Sequence, residues 1–190
     1  MIKSVKFVGV GGQGTILATT LLSTALVNAG YDVKMSEIHG MSQRGGSVSS
    51  EIRYGDKVYS PVIMKGEADV LVSFEQMEAA RNVHYLKKDG ILLINNHKIN
   101  SMVTLNGKVE YPKNIAEELG KVVKTYSIEA TELAEELGNV RVLNVVMLGA
   151  VVKAMGLEDI DFKQIIRETV KPKFVDLNLK AFELGLEQIK

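Results

Sequence analysis

"VKFVGVGGQGTILATTLL", residues 5–22, is the stretch whose reading decides the fold. It passes from an apolar run through Gly9, Gly11, Gly12 and Gly14 into a long apolar segment. Residues 3–10 alternate and then become continuously apolar, as a buried parallel strand does. Thr15 to Ala29 contains neither glycine nor proline, its apolar positions cover most of a helix, and Gly30 is a natural residue to end it. "YDVKMSEI" (31–38) supplies a second strand, completing a Rossmann-like β-α-β unit with the glycines at its first turn. In such a turn one glycine permits the bend, one lets an anionic group approach the backbone, and one lets helix and strand pack closely. The helix behind them begins with unpaired amides, which favour an anion.

The same alternation continues outward from that unit. "SVSSEIRY" (47–54) has period two and reads as a half-buried strand. "ADVLVSF" (68–74) and "ILLIN" (91–95) read as buried parallel strands, with a helix over 75–86 between them. Asn106-Gly107 within "SMVTLNGKVEY" (101–111) signals a hairpin at an antiparallel edge. A helix near 113–121, a strand over 122–128 and a helix over 129–137 follow. Helices then cover 140–155, 161–170 and 174–189. The fold class expected is α/β: a three-layer domain with a mostly parallel, mixed sheet and a helical C-terminal part, in one domain spanning 1–190. The helix over 142–155 is apolar on nearly all sides, which places it in the core or under a partner. Asn144 in its middle needs a hydrogen-bond partner there.

Composition narrows the chemistry. Apolar residues make up 46% and charged residues 24%, the balance of a folded globular chain. Twenty-three basic residues match twenty-three acidic ones, so no net field recruits nucleic acid or an acidic membrane. The N-terminus opens on a strand pattern without a signal-peptide architecture, and no apolar run reaches membrane-span length; a cytoplasmic location is expected. There is no cysteine, hence no disulfide, thiolate nucleophile or ordinary iron–sulfur cluster in this chain. His39, His84 and His97 share no metal-ligand spacing, so no metal site is expected, and no catalytic residue stands out.

Two loops are chemically unusual. The first is the glycine turn, whose G-x-G-x-x-G pattern at Gly9, Gly11 and Gly14 also fits a stand-alone NAD(P)-binding protein. Glu37, near the end of the second strand, lies where such a protein carries its ribose-binding acid. The second is "SEIHGMSQRGGSV" (36–48). In a parallel sheet it opens at the same carboxyl edge as the glycine turn, and Arg44 offers a planar fork of donors to an anionic ligand or to a partner chain.

"GVGGQG" (9–14), "EIHGMSQRGGSV" (37–48) and "LNVVMLGA" (143–150) together resemble the small, gamma-type subunit of the 2-oxoacid:ferredoxin oxidoreductases. The same unit forms domain III of the single-chain pyruvate enzyme. The "HGMSQRGGSV" wording is most similar to the indolepyruvate type. The resemblance implies oxidative decarboxylation of a 2-oxo acid with coenzyme A, giving acyl-CoA, carbon dioxide and reduced ferredoxin. It implies that thiamine diphosphate and iron–sulfur clusters lie on a large partner subunit, that ferredoxin meets the complex, and that this chain alone is inactive. It also implies that the glycine turn serves a subunit contact or part of the coenzyme A site, through Gly11, Gly12, Gln13, Gly14 and Arg44.

Overall fold

A computed structural model describes residues 1–39 and 46–190, the side chain of His39 excepted. Among these residues six strands form one sheet: β1 (Lys3–Val10), β2 (Asp32–His39), β3 (Ser47–Gly55), β4 (Ala68–Ser73), β5 (Leu86–Asn95) and β6 (Lys124–Ile128), in the order β2-β3-β1-β4-β5-β6. β1, β4, β5 and β6 pair in parallel, and β3 runs antiparallel to both of its neighbours. The sheet is therefore mixed and mostly parallel, as expected.

The antiparallel member lies elsewhere than the Asn-Gly signal placed it. β1 and β2 run in the same direction, but β3 is inserted between them, with Phe7 opposite Ser50 and Glu37 opposite the same serine on the far side. Residues 101–111 form no hairpin. Met102–Leu105 is a short helix, α3, closed by Asn106 as C-cap and Gly107 at φ 68°. A type I′ hairpin turn needs two residues at positive φ. Here only Gly107 takes it, because a helix end requires one left-handed residue.

Helices cover both faces. α1 (Thr15–Asn28), α5 (Ala130–Glu136), α6 (Leu143–Met155) and α8 (Val175–Glu187) enclose the larger core, centred on Val5, Phe7, Ile52, Val70, Val72 and Leu93. α7 (Phe162–Thr169) braces α1 and α8. On the other face α2 (Gln76–Asn82) and α4 (Ile115–Gly120) close a smaller core around Val8, Leu71, Leu92 and Ile94. The carboxyl ends of β1, β4, β5 and β6 and the start of β3 consequently share one edge.

α6 settles one of the open readings. Every residue from Leu143 to Val152 is buried, against α8, α5, α1, β4 and β5 of the same chain. Its apolar character is explained by the core without a partner. The crossing with α8 is close: a Cβ on Gly149 would stand 2.3 Å from the Phe182 carbonyl oxygen, and one on Gly185 would stand 2.0 Å from that of Val146.

Candidate functional site

The glycine turn joins β1 to α1 at the carboxyl edge. Its first constraint is Gln13, whose side chain folds back onto the backbone. Oε1 accepts from the Val10 amide at 2.8 Å and Nε2 donates to the Phe74 carbonyl at 2.8 Å. That carbonyl also accepts from Asn95 Nδ2 at 3.1 Å, so the ends of β1, β4 and β5 are tied by carboxamides. Gly9 is needed beneath this brace, since a Cβ there would meet Gln13 Oε1 at 2.9 Å and the Phe74 Cβ at 3.1 Å.

The second constraint is Gly14, the N-cap of α1, at φ 79°. Asn144 of α6 donates to its carbonyl at 3.1 Å, and a Cβ on Gly14 would lie 2.5 Å from Asn144 Nδ2. Here is the partner that Asn144 required. Its Oδ1 is buried and accepts no hydrogen bond among the described residues.

Gly11, Gly12 and Gly14 line a pocket of about 260 Å³ with Thr15, Ile16, Ile38, Val48, Ser49 and Ser50. The amides of Gly12, Gly14, Thr15 and Ile16 donate to no group among the described residues. Gly12, at φ 107°, has open space where a Cβ would be. The pocket is thus walled by peptide amides at the positive end of a helix dipole and rimmed by two isoleucines. No lysine or arginine is among its described lining residues.

Of the expected site residues, the fold brings Gly11, Gly12 and Gly14 to this pocket, whereas Gln13 turns its carboxamide away to hold the turn. Arg44, with the rest of 40–45, lies outside the described residues. The stem that follows is anchored at the site: the Gly11 amide donates to the Gly46 carbonyl at 2.9 Å, and the Ser47 hydroxyl donates to Glu78 at 2.5 Å. Glu37 is half-buried on β2 and is not among the pocket's lining residues. With β3 interposed, β2 stands two strand spacings from β1, roughly 10 Å rather than 5 Å. The arrangement that lets a dinucleotide fold's acid reach the ribose beside the first strand is therefore absent. His84 is exposed against Tyr85, and His97 is half-buried with its carbonyl accepting from the Gln76 amide at 3.0 Å. Among the described residues no group of three or more His, Asp or Glu side chains could hold a metal ion. No helix among them is long and apolar enough to cross a membrane.

Sequence reasoning missed a second cluster beside the turn. Glu75 is buried, caps α2 through the Glu78 amide at 2.9 Å, and accepts from the Ile99 amide at 3.2 Å and from the Tyr111 hydroxyl. Burial, followed by the hydrogen bond to Glu75 and its charge, holds the Tyr111 hydroxyl well above the ordinary phenol value. Glu78, also buried, accepts from Ser47 and from Arg81 at 2.6 Å. Val10, Ser47, Glu75, Glu78 and Tyr111 line a cavity of about 70 Å³. The signal available in advance was the pair of carboxylates three apart directly after a strand end, at the first turn of a helix.

The comparisons with known proteins agree with this geometry. Residues 4–188 match the family model described as pyruvate ferredoxin/flavodoxin oxidoreductase. The chain is 43% identical to the indolepyruvate oxidoreductase subunit IorB of Pyrococcus horikoshii, over 96% of this chain and 93% of that protein. It is 31% identical to the ketoisovalerate oxidoreductase subunit VorA of Methanothermobacter thermautotrophicus, over 96% of this chain but only 35% of that longer protein. Among solved structures, the gamma subunit of a keto/oxoacid ferredoxin oxidoreductase from Geobacter sulfurreducens superimposes with a TM-score of 0.75 at 27% identity, covering 99% of this chain and 96% of that one. The mixed sheet, the glycine turn and a match running almost from end to end thus converge, and the chain belongs to the pyruvate ferredoxin/flavodoxin oxidoreductase family.

Proposed function

We propose that this chain is the small subunit of a cytoplasmic 2-oxoacid:ferredoxin oxidoreductase, a single domain over 1–190 that assembles with a larger subunit. The observation that carries this reading is the near full-length 43% identity to an indolepyruvate oxidoreductase subunit. The acid is then indolepyruvate or another aryl pyruvate. It loses its carboxyl carbon as carbon dioxide, two electrons pass to ferredoxin, and the acyl carbon is transferred to the sulfur of coenzyme A. A chain without cysteine supplies no iron–sulfur ligands. Thiamine diphosphate and the clusters therefore belong, in this proposal, to the larger subunit.

Within the complex, the pocket at the glycine turn takes one end of coenzyme A. At about 260 Å³ it lies just below the usual size of a small-molecule site, so it suits part of that ligand rather than all of it. The amides of Gly12, Gly14 and Thr15 face a phosphate as donors, and the α1 dipole favours the negative charge. The described lining has no cation. Arg44, two residues before the anchored Gly46, is proposed to supply it. Gln13 shapes the turn without touching the ligand.

The test is co-expression with the larger subunit, followed by ferredoxin reduction that depends on indolepyruvate and coenzyme A. A brown, active complex is expected, with the small chain alone colourless and inactive. Turnover by the isolated chain overturns the subunit reading. Arg44→Ala is expected to raise the KM for coenzyme A about 10- to 150-fold, corresponding to one charge-assisted contact of about 1.5–3 kcal/mol. Arg44→Lys should recover only part, lacking the planar fork. An intact complex with unchanged KM removes Arg44 from the ligand site.

A further inference from the structure

We infer that Asn144, on the buried helix α6, is a positioning residue for the donor amides of the glycine turn; this rests on the coenzyme A reading above. Its Nδ2 donates to the Gly14 carbonyl at 3.1 Å, across 130 positions of chain. That carbonyl also accepts from the Leu17 amide at 3.2 Å and the Ala18 amide at 3.4 Å, so the contact from α6 is the shortest of the three. The peptide joining Gly14 to Thr15 is planar and trans, which points its N–H opposite to its C=O. Pinning the carbonyl therefore aims the Thr15 amide out of the N-terminal end of α1, where Gly14 and Thr15 line the pocket. That amide donates to no group among the described residues.

Two observations set the asparagine apart from a packing residue. The other residues of 143–152 are all apolar or glycine, and all are buried. Asn144 Oδ1 is also buried and accepts no hydrogen bond among the described residues, so this side chain carries the cost of an unsatisfied acceptor that an apolar residue would avoid. Gly14 is matched to it: a Cβ there would stand 2.5 Å from Nδ2. The turn is thus held from two sides. Gln13 fixes the Val10 amide before it, through Oε1 at 2.8 Å, and Asn144 fixes the peptide that opens the helix behind it. Donors already oriented for a phosphate bind it without a further ordering cost, so loosening this peptide weakens binding while leaving the reacting groups untouched.

The experiment measures ferredoxin reduction by the assembled complex, varying coenzyme A and indolepyruvate separately, with the melting temperature of each complex. Asn144→Leu removes the donor and the unpaired acceptor together. It is expected to raise the KM for coenzyme A about tenfold, or about 1.4 kcal/mol, with kcat and the KM for indolepyruvate as in wild type. Asn144→Ala is expected to do the same and takes its place if leucine overfills the site. Ile16→Glu tests the pocket independently, because this rim residue is 53% exposed and a carboxylate there repels a phosphate. It too should raise the KM for coenzyme A. An unchanged KM in both Asn144 variants, whatever their melting temperatures, overturns the positioning role when Ile16→Glu raises it. So does a joint change in both KM values, kcat and melting temperature, which is the pattern of a merely structural residue. A wild-type KM in Ile16→Glu removes coenzyme A from the pocket, and the inference with it.

Discussion

Asn144 and Gly14 are 130 positions apart, yet the carboxamide of the first donates to the carbonyl of the second at 3.1 Å. The buried helix α6 thereby holds the N-cap of the glycine-turn helix. Gly14 cannot carry a side chain for two separable reasons: its φ of 79° and the approach of Asn144 Nδ2 to 2.5 Å from a would-be Cβ. A left-handed non-glycine residue costs about 1–2 kcal/mol. Gly14→Ala is expected to lose that plus the cost of displacing Asn144, whereas in an Asn144→Ala background only the backbone part should remain. Urea unfolding of the two single variants and the double variant checks this. Additive losses would show that the contact carries no coupling.

The α6–α8 crossing allows a harsher test. The Gly149 and Gly185 positions admit no Cβ without a displacement of helix backbone. Overpacking of a core typically costs about 1–3 kcal/mol and sometimes more. Backbone oxygens 2.0–2.3 Å from the new atom place Gly185→Ala at the upper end, a fall in melting temperature of several degrees or failure to fold. Gly138→Ala, where a Cβ meets nothing but φ is 88°, should cost only the strain. Thermal denaturation of the three proteins ranks them.

Lys6 and Glu51 form an ion pair at 2.6 Å with both side chains buried. The lysine lies over the Tyr85 ring, and Glu51 also accepts from the Ile63 amide at 3.1 Å. Removing one partner leaves a charge stranded in the interior, at about 3–5 kcal/mol. Lys6→Met is therefore expected to be strongly destabilising, and Lys6→Met with Glu51→Gln much less so. Calorimetric melting temperatures that fall further in the double variant would contradict this.

Asp69 ties the starts of three strands, accepting from the Ser4 amide at 2.8 Å, Lys87 at 2.8 Å and Lys3 at 3.4 Å. Burial raises its carboxyl, but the Lys87 and Ser4 hydrogen bonds and the two lysine charges outweigh that, leaving it below the ordinary carboxylate value. A depressed carboxylate stabilises the fold above its unfolded pKa, near 4, and that contribution is lost as pH falls through the folded value. Both lysines are over 40% exposed, so solvent screening limits the effect to about 1 kcal/mol. Asp69→Asn should lower stability at pH 7 by that amount and flatten the acid limb of the stability profile. A wild-type-like slope below pH 4 in the variant would assign the acid sensitivity to other groups.

The elements carrying their own period were legible in the sequence. Residues 3–10, 68–73 and 91–95 are strands, and 15–28 and 143–155 are helices, because side-chain periodicity is a property of chain neighbours. Gly9, Gly11 and Gly14 announced a tight turn before a helix for the same reason, and an asparagine amid apolar residues announced that Asn144 would have a partner. What required the tertiary structure was everything settled between distant segments. β3 sits between β1 and β2 because its backbone pairs with both, a register no local pattern encodes. Asn106-Gly107 closes a helix, with Gly107 alone at positive φ, where the local pattern indicates a hairpin. α8 packs directly on α6 because Gly149 and Gly185 let the two helices touch. Gln13 braces the turn rather than lining the pocket because the Phe74 carbonyl, 61 positions away, is presented at the end of β4. Local sequence determines which conformation a segment prefers. Which segment satisfies another's hydrogen bonds and apolar face is decided only when long-range burial and pairing are met together.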